Sequence, residues 1–447
     1  MQSGKHLLLL LIFSACGAVA SGQNDAQRVV SNLLKPLAQR QLFSGSVVIA
    51  RNGHTIAESH VGLANRELNV PIGAATRFYV ASVSKSFTAA SILMLQDSGA
   101  LSLDDPIKKF IPDFPHGDIT IRQLLTHTSG LQHPVFYPDY FELAKRSYTL
   151  AAVIDLFKDR PTIDPPGSKH HYSDYNYVLL ARIIEIASGK SYSDFLEERV
   201  FRPQRLLTAG NHTSWAELVP NRASGYQPIG MDGFENARYF DYSIGTGAAS
   251  LYMSAEDLAR WVESLSEGRV LSPQGTHELL GDTTTGGILH GQKVAEHRAI
   301  ALSGWDNVGF GAEALYFPDQ KLSIAVTTNE NDSGIASYLS EAIAESILTG
   351  KPVEPLHFLT KAKDAQAFAG KYRFGSDFYV PGSEIEIVAK DDQLFERQKN
   401  PDRLMGLLPL ADGTFIYRSH WSPVTFQRQD GHVTGLMFDG FKASKVP

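Results

Sequence analysis

A serine and a lysine stand three residues apart at Ser82 and Lys85, where an apolar run changes from extended to helical spacing. In a helix, positions i and i+3 lie on one face, so the two side chains point the same way. Free N–H groups at a helix N-terminus favour a developing negative charge, and a lysine withdrawn from water can act as a base. The pair therefore predicts nucleophilic catalysis by Ser82. The alternative is a solvated first helical turn, since serine is common at helix starts.

Two other hydrolase signatures are missing from the sequence. No G-x-S-x-G elbow occurs, which argues against an ordinary α/β-hydrolase. No H-E-x-x-H motif and no cysteine cluster occurs, which argues against a zinc hydrolase. We therefore expect a mechanism with no metal and no cofactor.

Length and charge narrow the function classes further. The 447 residues are enough for two or three folding units, and 43% of them are hydrophobic, as in a soluble globular protein. The formal net charge is −7 and there is no basic run, so the sequence does not support nucleic-acid binding. We expect a small-molecule or peptide substrate instead.

The N-terminus is typical of an export signal over residues 1–20. Lys5 is followed by a short apolar core at 7–13 and by a small-x-small cleavage site at 18–20. Residues 13–16 also resemble a lipoprotein box, which leaves a lipid anchor at Cys16 as the alternative. Phe13 is unusual in such a box, so simple cleavage is favoured. No other segment approaches transmembrane length, and we expect a periplasmic or secreted protein.

The order of elements predicts an α+β fold. A helix is expected at 24–43, a hairpin at 46–61 around the turn Asn52-Gly53, three short strands within 297–328 and a helix at 334–348. Strands at both ends with helices between them predict one antiparallel sheet flanked by helices, with an inserted all-helical region. Catalytic residues would then lie in the cleft between the two layers.

The C-terminal part has a different character. Residues 351–364 form a predicted linker, and residues 365–447 a small antiparallel β domain. Polar and apolar residues alternate over 383–388, and the turn signals Asp412-Gly413 and Asp430-Gly431 separate further strands.

Several segments follow one another in an order that resembles a known family. They are residues 78–87, 101–106, 119–131, 166–180 and 247–258. Over about residues 28–350 the chain is similar to the serine hydrolases that include class C β-lactamases, D-alanyl-D-alanine carboxypeptidases and related esterases. The resemblance implies a β-lactamase/DD-peptidase-like domain at 24–350, and the tail resembles the small barrel-like domain appended to many members.

The resemblance also implies roles for three side chains. Ser82 would attack a carbonyl and form an acyl-enzyme, with Lys85 beside it as a base or proton relay. Tyr172 would pass a proton between Ser82 and the leaving group. The backbone N–H of Ser82 would form half of an oxyanion hole. His127 and Ser129 are expected to hold a buried loop together rather than to do chemistry.

Two positions depart from the family pattern. Asp174 stands where the family usually has asparagine, and a carboxylate near Lys85 would favour the ammonium form, which shifts the work of a base toward Tyr172 or the substrate. The alternatives are that Asp174 is protonated or turned away from Lys85. Leu302 stands where the family has lysine or histidine, and a leucine cannot bind a substrate carboxylate. From the same segment, Ser303, Gly304 and Trp305 are expected to contact substrate, and the N–H of Trp305 to complete the oxyanion hole.

The resulting hypothesis is an exported serine hydrolase acting on neutral esters or amides, with β-lactams less favoured. Two alternatives stay open. One is a catalytically weak binding or regulatory protein of the same fold, and the other is a true β-lactamase or D-alanyl-D-alanine carboxypeptidase. The oligomeric state and the role of the β domain do not follow from the sequence.

Overall fold

The computed structural model describes residues 23–281, 288–289, 291–306, 308–332, 334–399 and 402–446. The expected export signal at 1–20, with Cys16, lies outside the described residues. Within the described part of the chain, no helix has both the length and the apolar character needed to span a bilayer.

The first unit is built on a six-stranded antiparallel sheet. The strands of this unit, in chain order, are β1 (Gly45–Arg51), β2 (His54–Val61), β3 (Leu63–Asn65), β4 (Val70–Pro71), β5 (Phe78–Tyr79), β6 (Gly210–Asn211), β7 (Tyr226–Ile229), β8 (Gly233–Asn236), β9 (Leu251–Met253), β10 (Gly291–Val294), β11 (His297–Trp305), β12 (Gly311–Phe317) and β13 (Leu322–Thr328). The order in the main sheet is β10-β11-β12-β13-β1-β2, and β3-β4, β5-β9-β6 and β7-β8 form small sheets beside it.

Helices cover both faces of this sheet, and most of them belong to the chain segment between β2 and β10. They are α1 (23–39), α2 (Ser84–Asp97), α3 (Ile121–Leu125), α4 (Tyr140–Leu143), α5 (Leu150–Phe157), α6 (Asp174–Ser188), α7 (Tyr192–Leu196), α8 (Ala255–Ser266), α9 (Pro273–Leu280) and α10 (Ile335–Thr349). Short 3-10 turns occur at Ala81–Val83, Ile107–Lys109, Pro134–Phe136, Tyr242–Gly245 and Pro318–Gln320, and one π-helical turn at Glu197–Phe201.

The sheet joins the two ends of this unit. Asn52 and Gly53 have φ values of 52° and 76°, which suits the tight turn that links β1 to β2. β1 also pairs with β13, in the register that places Gly45 opposite Thr328. The predicted sheet assembled from both ends, with a helical insertion, is therefore confirmed.

Two apolar layers cover the sheet. On the outer face, α1 and α10 pack in one cluster with residues such as Ala299 of β11. On the inner face, α2 and α8 pack in another cluster with Ile300 and Leu302. Because side chains alternate along a strand, β11 contributes neighbouring residues to opposite layers.

The C-terminal unit is a closed antiparallel barrel preceded by a short helix. The helix is α11 (Ala365–Phe368), and the strands are β14 (Gly370–Phe374), β15 (Glu384–Lys390), β16 (Gln393–Lys399), β17 (Asp402–Pro409), β18 (Phe415–Tyr417), β19 (Ser422–Gln429), β20 (His432–Phe438) and β21 (Phe441–Lys445). Asp430 and Gly431 form the predicted turn, with φ values of 49° and 80°. The predicted α+β fold with a C-terminal antiparallel β domain is confirmed.

The barrel is packed firmly on the first unit. Gly230 donates its N–H to the Leu404 carbonyl at 3.0 Å, and Gly406 donates to the Gly230 carbonyl at 3.0 Å. The Arg418 guanidinium, 2% exposed, donates to the Ile229 carbonyl at 2.9 Å. These bonds fix the end of the barrel that carries the β18–β19 turn against the first unit.

Candidate active site

Ser82 lies in the 3-10 turn between β5 and α2. The turn begins with Ala81, a buried non-glycine residue with φ of 45°, a conformation that strains an L-residue by about 1 kcal/mol. The helix itself begins at Ser84, two residues later than the serine. The strained turn places Ser82 Oγ 3.0 Å from Lys85 Nζ, as the predicted shared face requires.

Lys85 is held as an ammonium ion. Its side chain is 5% exposed, and three oxygens surround Nζ: Ser82 Oγ at 3.0 Å, the Ala248 carbonyl at 3.1 Å and Asp174 Oδ1 at 2.7 Å. Nζ donates hydrogen bonds to the first two of these oxygens and forms an ion pair with the third. Burial alone would lower the pKa of Lys85, but the negative charge of Asp174, with a smaller contribution from neighbouring Tyr172, outweighs it and raises this pKa above its usual value.

Asp174 is the first residue of α6, and its carboxylate lies between the Lys85 ammonium and the His133 ring. Its Oδ2 is 3.4 Å from His133 Nε2. His133 Nδ1 accepts the N–H of Val135 at 3.1 Å, which leaves the ring proton on Nε2, directed at the carboxylate. Burial favours the protonated acid, but Lys85 and His133 outweigh it and hold the pKa of Asp174 well below its usual range. Asp174 is therefore a carboxylate throughout the physiological pH range.

Tyr172 stands on the open side of the nucleophile. Its hydroxyl is 2.6 Å from Ser82 Oγ, and the residue is 44% exposed. Its ring lies between the rings of His127 and His133, at centroid distances of 4.6 and 5.8 Å. Since Ser82 Oγ accepts a hydrogen bond from Lys85, its own proton is free to point at the Tyr172 oxygen.

His127 and Ser129 hold the neighbouring loop, as predicted. His127 Nδ1 accepts the N–H of Ser173 at 3.1 Å, and Ser129 donates to Asn176 Oδ1 at 2.6 Å. Burial and the charge of Lys85 lower the pKa of His127 to about 3, so this ring is neutral. Asn176 is fully buried in this network and does not replace the asparagine that the family has at position 174.

Gly304 and Trp305 lie against the nucleophile turn. A Cβ on Gly304 would stand 2.2 Å from the Val80 carbonyl, so only glycine allows this approach. One residue further, Asp306 donates its N–H to the Phe310 carbonyl. Because hydrogen-bonding positions alternate in an antiparallel pair, the N–H of Trp305 points away from β12, toward the turn that carries Ser82. This is the placement expected of a second oxyanion donor.

The structure does not bring Ser303, which was expected to contact substrate, to the side of β11 that faces Ser82. In β11 it lies on the outer face, in register with Glu313, whose carboxylate accepts a hydrogen bond from Ser337 of α10 at 3.1 Å. Strand alternation turns it away from Ser82, which Leu302 and Gly304 face. Leu302 does lie on the inner face, but it is 3% exposed and belongs to the core.

A cleft of about 200 Å³ opens beside Ser82 and Tyr172. Apolar and aromatic side chains form much of its wall, namely Val135, Tyr140, Phe141, Phe240, Tyr242 and Val308. Two acids also line it, Asp174 and Asp306. Burial raises the pKa of Asp306 to about 6, although Tyr242 and two backbone N–H groups donate to its carboxylate.

No lysine or arginine is among the described residues that line this cleft. Arg238 is nearby but outside it, stacked over the Phe141 ring at 4.3 Å. Arg298 lies four residues from Leu302 along β11, a distance of about 13 Å at 3.3 Å per residue. The described residues also contain no group of three or more histidine, cysteine or acidic side chains that could hold a metal ion.

The sequence did not predict two groups that contribute to the site, the Ala248 carbonyl and His133. The Ala248 carbonyl reaches Lys85 because Gly247, with φ of 87°, lies so close to α6 that a Cβ would stand 2.5 Å from the Tyr177 carbonyl. The sequence indicated the segment 247–258, but it did not predict the contact of this segment with Lys85. His133 gave no signal, since a lone histidine in a loop has no motif.

The comparisons with known proteins agree with this geometry. The model of the family described as Beta-lactamase matches residues 26–347. The Bacillus subtilis protein PbpX, named as a penicillin-binding protein, is 32% identical over 279 residues, 59% of this chain and 65% of its own length, which is less than two thirds. Penicillin-binding protein 4* of the same organism is 26% identical over 425 residues, 89% of this chain and 93% of that protein.

A solved structure extends the likeness to the barrel. The octameric penicillin-binding protein homologue from Pyrococcus abyssi matches with a TM-score of 0.64 and 22% identity, over 94% of this chain and 99% of that chain. At this identity the likeness shows the fold.

Proposed function

The chain belongs to the beta-lactamase family of serine hydrolases, and from its site we propose that it cleaves uncharged esters or amides through an acyl-enzyme on Ser82. One observation carries the proposal. Ser82 Oγ lies within hydrogen-bond reach of both the Lys85 ammonium and the Tyr172 hydroxyl, at 3.0 and 2.6 Å. A nucleophile held between a cation and a proton acceptor is what acyl transfer requires.

Acylation follows from the proton positions. Ser82 Oγ attacks the carbonyl carbon while its proton moves to the Tyr172 oxygen. Tyr172 gives its own proton to the leaving oxygen or nitrogen, so the tyrosine is neutral again when the alcohol or amine departs. Lys85, kept charged by Asp174, stabilises negative charge on Oγ, and the N–H groups of Ser82 and Trp305 stabilise the oxyanion.

Deacylation uses the same groups in reverse. Water attacks the acyl carbonyl and gives a proton to Tyr172, and the Tyr172 proton returns to Ser82 Oγ as the acid leaves. Lys85 is not required to lose its proton at any step. This division of work is consistent with the three oxygens around Nζ, which favour the charged amine.

The preference for uncharged substrates rests on the cleft wall. A substrate carboxylate entering it would lose its water and find Asp174 but no lysine or arginine among the described lining residues. Burying a charge without a partner is unfavourable. Neutral esters and amides avoid this loss.

We also propose that the protein is exported. The support is the charged, apolar and small-residue order of residues 1–20. Fractionation of cells that express the full chain tests it: the proposal expects a shortened protein outside the cytoplasm, and a full-length cytoplasmic protein would contradict it. Labelling of Cys16 by a fatty acid would favour the lipid anchor instead.

The experiment for the reaction compares kcat/KM for 4-nitrophenyl acetate with that for nitrocefin, a β-lactam that carries a carboxylate. We expect the neutral ester to be the better substrate, and both activities to be lost in Ser82→Ala. If folded wild-type protein hydrolyses neither compound and is not acylated, the chain is a binding protein and the proposal fails.

The same kinetic comparison can contradict the proposed preference for uncharged substrates without contradicting the proposed hydrolase activity. Efficient nitrocefin hydrolysis would mean that a cation outside the described cleft wall serves the carboxylate. Loss of that activity in Arg238→Ala would then identify Arg238 as the cation, because its guanidinium is stacked on Phe141, a residue of the cleft wall.

A further inference from the structure

The barrel contains a cavity of about 450 Å³. Inward-facing residues of seven of its strands line it, among them Phe374, Ile387, Leu407, Tyr417, Val424 and Leu436. Cavities of 300–1,000 Å³ with predominantly apolar walls are typical of small-ligand sites, and an eight-stranded barrel is wide enough to hold one ligand.

Different elements lie at the two ends of the barrel. At one end, α11 inserts Phe368, whose ring lies 5.7 Å from Phe415 and 4.4 Å from Phe426, and Tyr372 donates to the Phe368 carbonyl. At the other end, Phe378 and Tyr379 of the segment 375–383 line the cavity, with Phe378 stacked on Phe374 at 3.7 Å. His420 of the β18–β19 turn and Trp305 of the first unit also line it, so the cavity adjoins the first unit at this end.

The cavity holds no cation that could bind an anionic group. The described residues that line it include no lysine and no arginine. Its one histidine, His420, is stacked on Tyr417, and burial lowers the pKa of His420, which keeps the ring neutral. Burial likewise raises the pKa of Glu396, which accepts a hydrogen bond from Tyr417 at 2.7 Å. An occupant is therefore an uncharged chain.

Trp305 belongs to the walls of both the barrel cavity and the cleft at Ser82. Its indole lies 6.0 Å from the His420 ring and is anchored by a 3.0 Å hydrogen bond from Nε1 to Asn331. Its backbone N–H points toward the turn that carries Ser82, as expected of the second oxyanion donor. A carbonyl bound at Ser82 thus lies next to the residue that forms the cavity wall.

We infer that the barrel cavity binds an uncharged hydrocarbon chain of the substrate while the carbonyl of the same molecule lies at Ser82. The inference rests on the proposed function and adds the substrate class, an ester with a long apolar chain. The geometry fits a chain on either the acyl or the alcohol side, and the two are distinguished below.

The test uses two ester series on the full-length protein, at concentrations below aggregation. One series is 4-nitrophenyl acetate to decanoate, and the other is methyl to decyl acetate. We expect kcat/KM to rise in one of them by up to about fourfold per added methylene, the factor for burying one CH₂ group, and then to level off. The series that rises identifies the side that enters the barrel.

The matched variants are Ile385→Trp and Lys371→Trp. Ile385 is a partly buried residue of the cavity wall, and Lys371 is exposed on the neighbouring strand next to inward-facing Tyr372. We expect Ile385→Trp to lower the ratio of long-chain to short-chain kcat/KM at least tenfold, and Lys371→Trp to leave that ratio as in the wild type.

A wild-type measurement covers the case in which Ile385→Trp does not fold. Decyl methyl ether has a neutral chain, no acyl group and no hydroxyl. It should inhibit long-ester hydrolysis competitively, and decanoate should inhibit at least tenfold more weakly, because its carboxylate has no cation to meet.

Two results separate the inference from the proposed function. Acetate hydrolysis that depends on Ser82, without any rise along either series and without inhibition by the ether, would overturn the inference and leave the hydrolase intact. Absence of all ester hydrolysis and acylation would overturn the hydrolase. Ether binding in that second case would show a barrel that binds apolar molecules independently of catalysis, which also contradicts the inference.

Discussion

Trp305 lines two cavities, and the wall of each includes a partly buried carboxyl group in a different electrostatic setting. In the cleft, Asp174 lies 2.7 Å from Lys85 and its pKa is well below the usual range. In the barrel, Glu396 has a hydroxyl partner but no cation, and its pKa is raised. The same chemical group is thus ionised in one cavity and tends toward the neutral acid in the other.

The difference indicates a division of work between the two units. The cleft keeps a fixed pair of charges next to a nucleophile, as a group that must stabilise developing charge requires. The described residues that line the barrel cavity include no lysine or arginine and are mostly apolar, as a site for apolar surface requires. Substitutions in the cleft should therefore affect all substrates alike, and those in the barrel should affect them according to chain length.

The largest effect is expected at the nucleophile. Ser82→Ala should lower kcat/KM at least a thousandfold for short and long esters alike, with little change in Tm, because its hydroxyl bonds only groups of the site. Ser86→Ala is the contrasting control. Its hydroxyl accepts the indole N–H of buried Trp261 at 2.8 Å, so its loss should lower the free energy of unfolding by about 1–3 kcal/mol and spare activity.

The next effect is expected at Tyr172. Tyr172→Phe removes the proton relay and should lower kcat/KM at least about a hundredfold, by the same factor for every chain length. Steady-state kinetics on the ester series measure it. A factor that grows with chain length would contradict the division between cleft and barrel, since it would place Tyr172 in chain binding.

A third prediction concerns pH and the charge of Lys85. Asp174 raises the pKa of Lys85, so Asp174→Asn should lower that pKa through the loss of a close opposite charge. Because the proposed mechanism requires charged Lys85, the loss of activity at alkaline pH should move to lower pH in the variant. The kcat/KM profile between pH 6 and 11 measures this. A variant that gains activity at alkaline pH would show instead that neutral Lys85 is the base.

The smallest effect is expected in the barrel, on stability. The folded-state pKa of Glu396 is raised above its unfolded value of 4.5. Its contribution to stability is therefore fully present below pH 4.5 and is lost as the pH rises through the folded value. Relative to the wild type, Glu396→Gln should become more stable as the pH increases from 4 to 8, as urea unfolding at each pH would show. The opposite trend would mean that a cation pairs with Glu396.

Local patterns predicted much of the fold. The Asn52-Gly53 turn, the alternation over 383–388 and the Asp430-Gly431 turn depend on neighbours in sequence, and the structure has strands at each. Closure of the barrel depends on the pairing of β14 with β21, which places Arg373 opposite Ser444. Contacts so distant in sequence leave no local signal.

The active site likewise has features that the sequence predicted and features that it did not. The spacing of Ser82 and Lys85 and the segment around Tyr172 were sufficient to bring these three together. Ser303 was misplaced because it was taken with its neighbours as one motif, although adjacent strand residues face opposite sides. The contact of His133 with Asp174 arises from a loop packed against α6, and the shared wall at Trp305 arises from packing between the two units. No spacing in the sequence encodes either of them.

Acylation of Ser82, held by Lys85 and Tyr172, is tested most directly by covalent labelling. Folded protein is incubated with a fluorophosphonate, digested and mapped by mass spectrometry. We expect a single adduct on Ser82, absent in Ser82→Ala and at least a hundredfold slower to form in Tyr172→Phe. An adduct on another residue, or none on folded wild-type protein, would contradict the proposed acylation of Ser82.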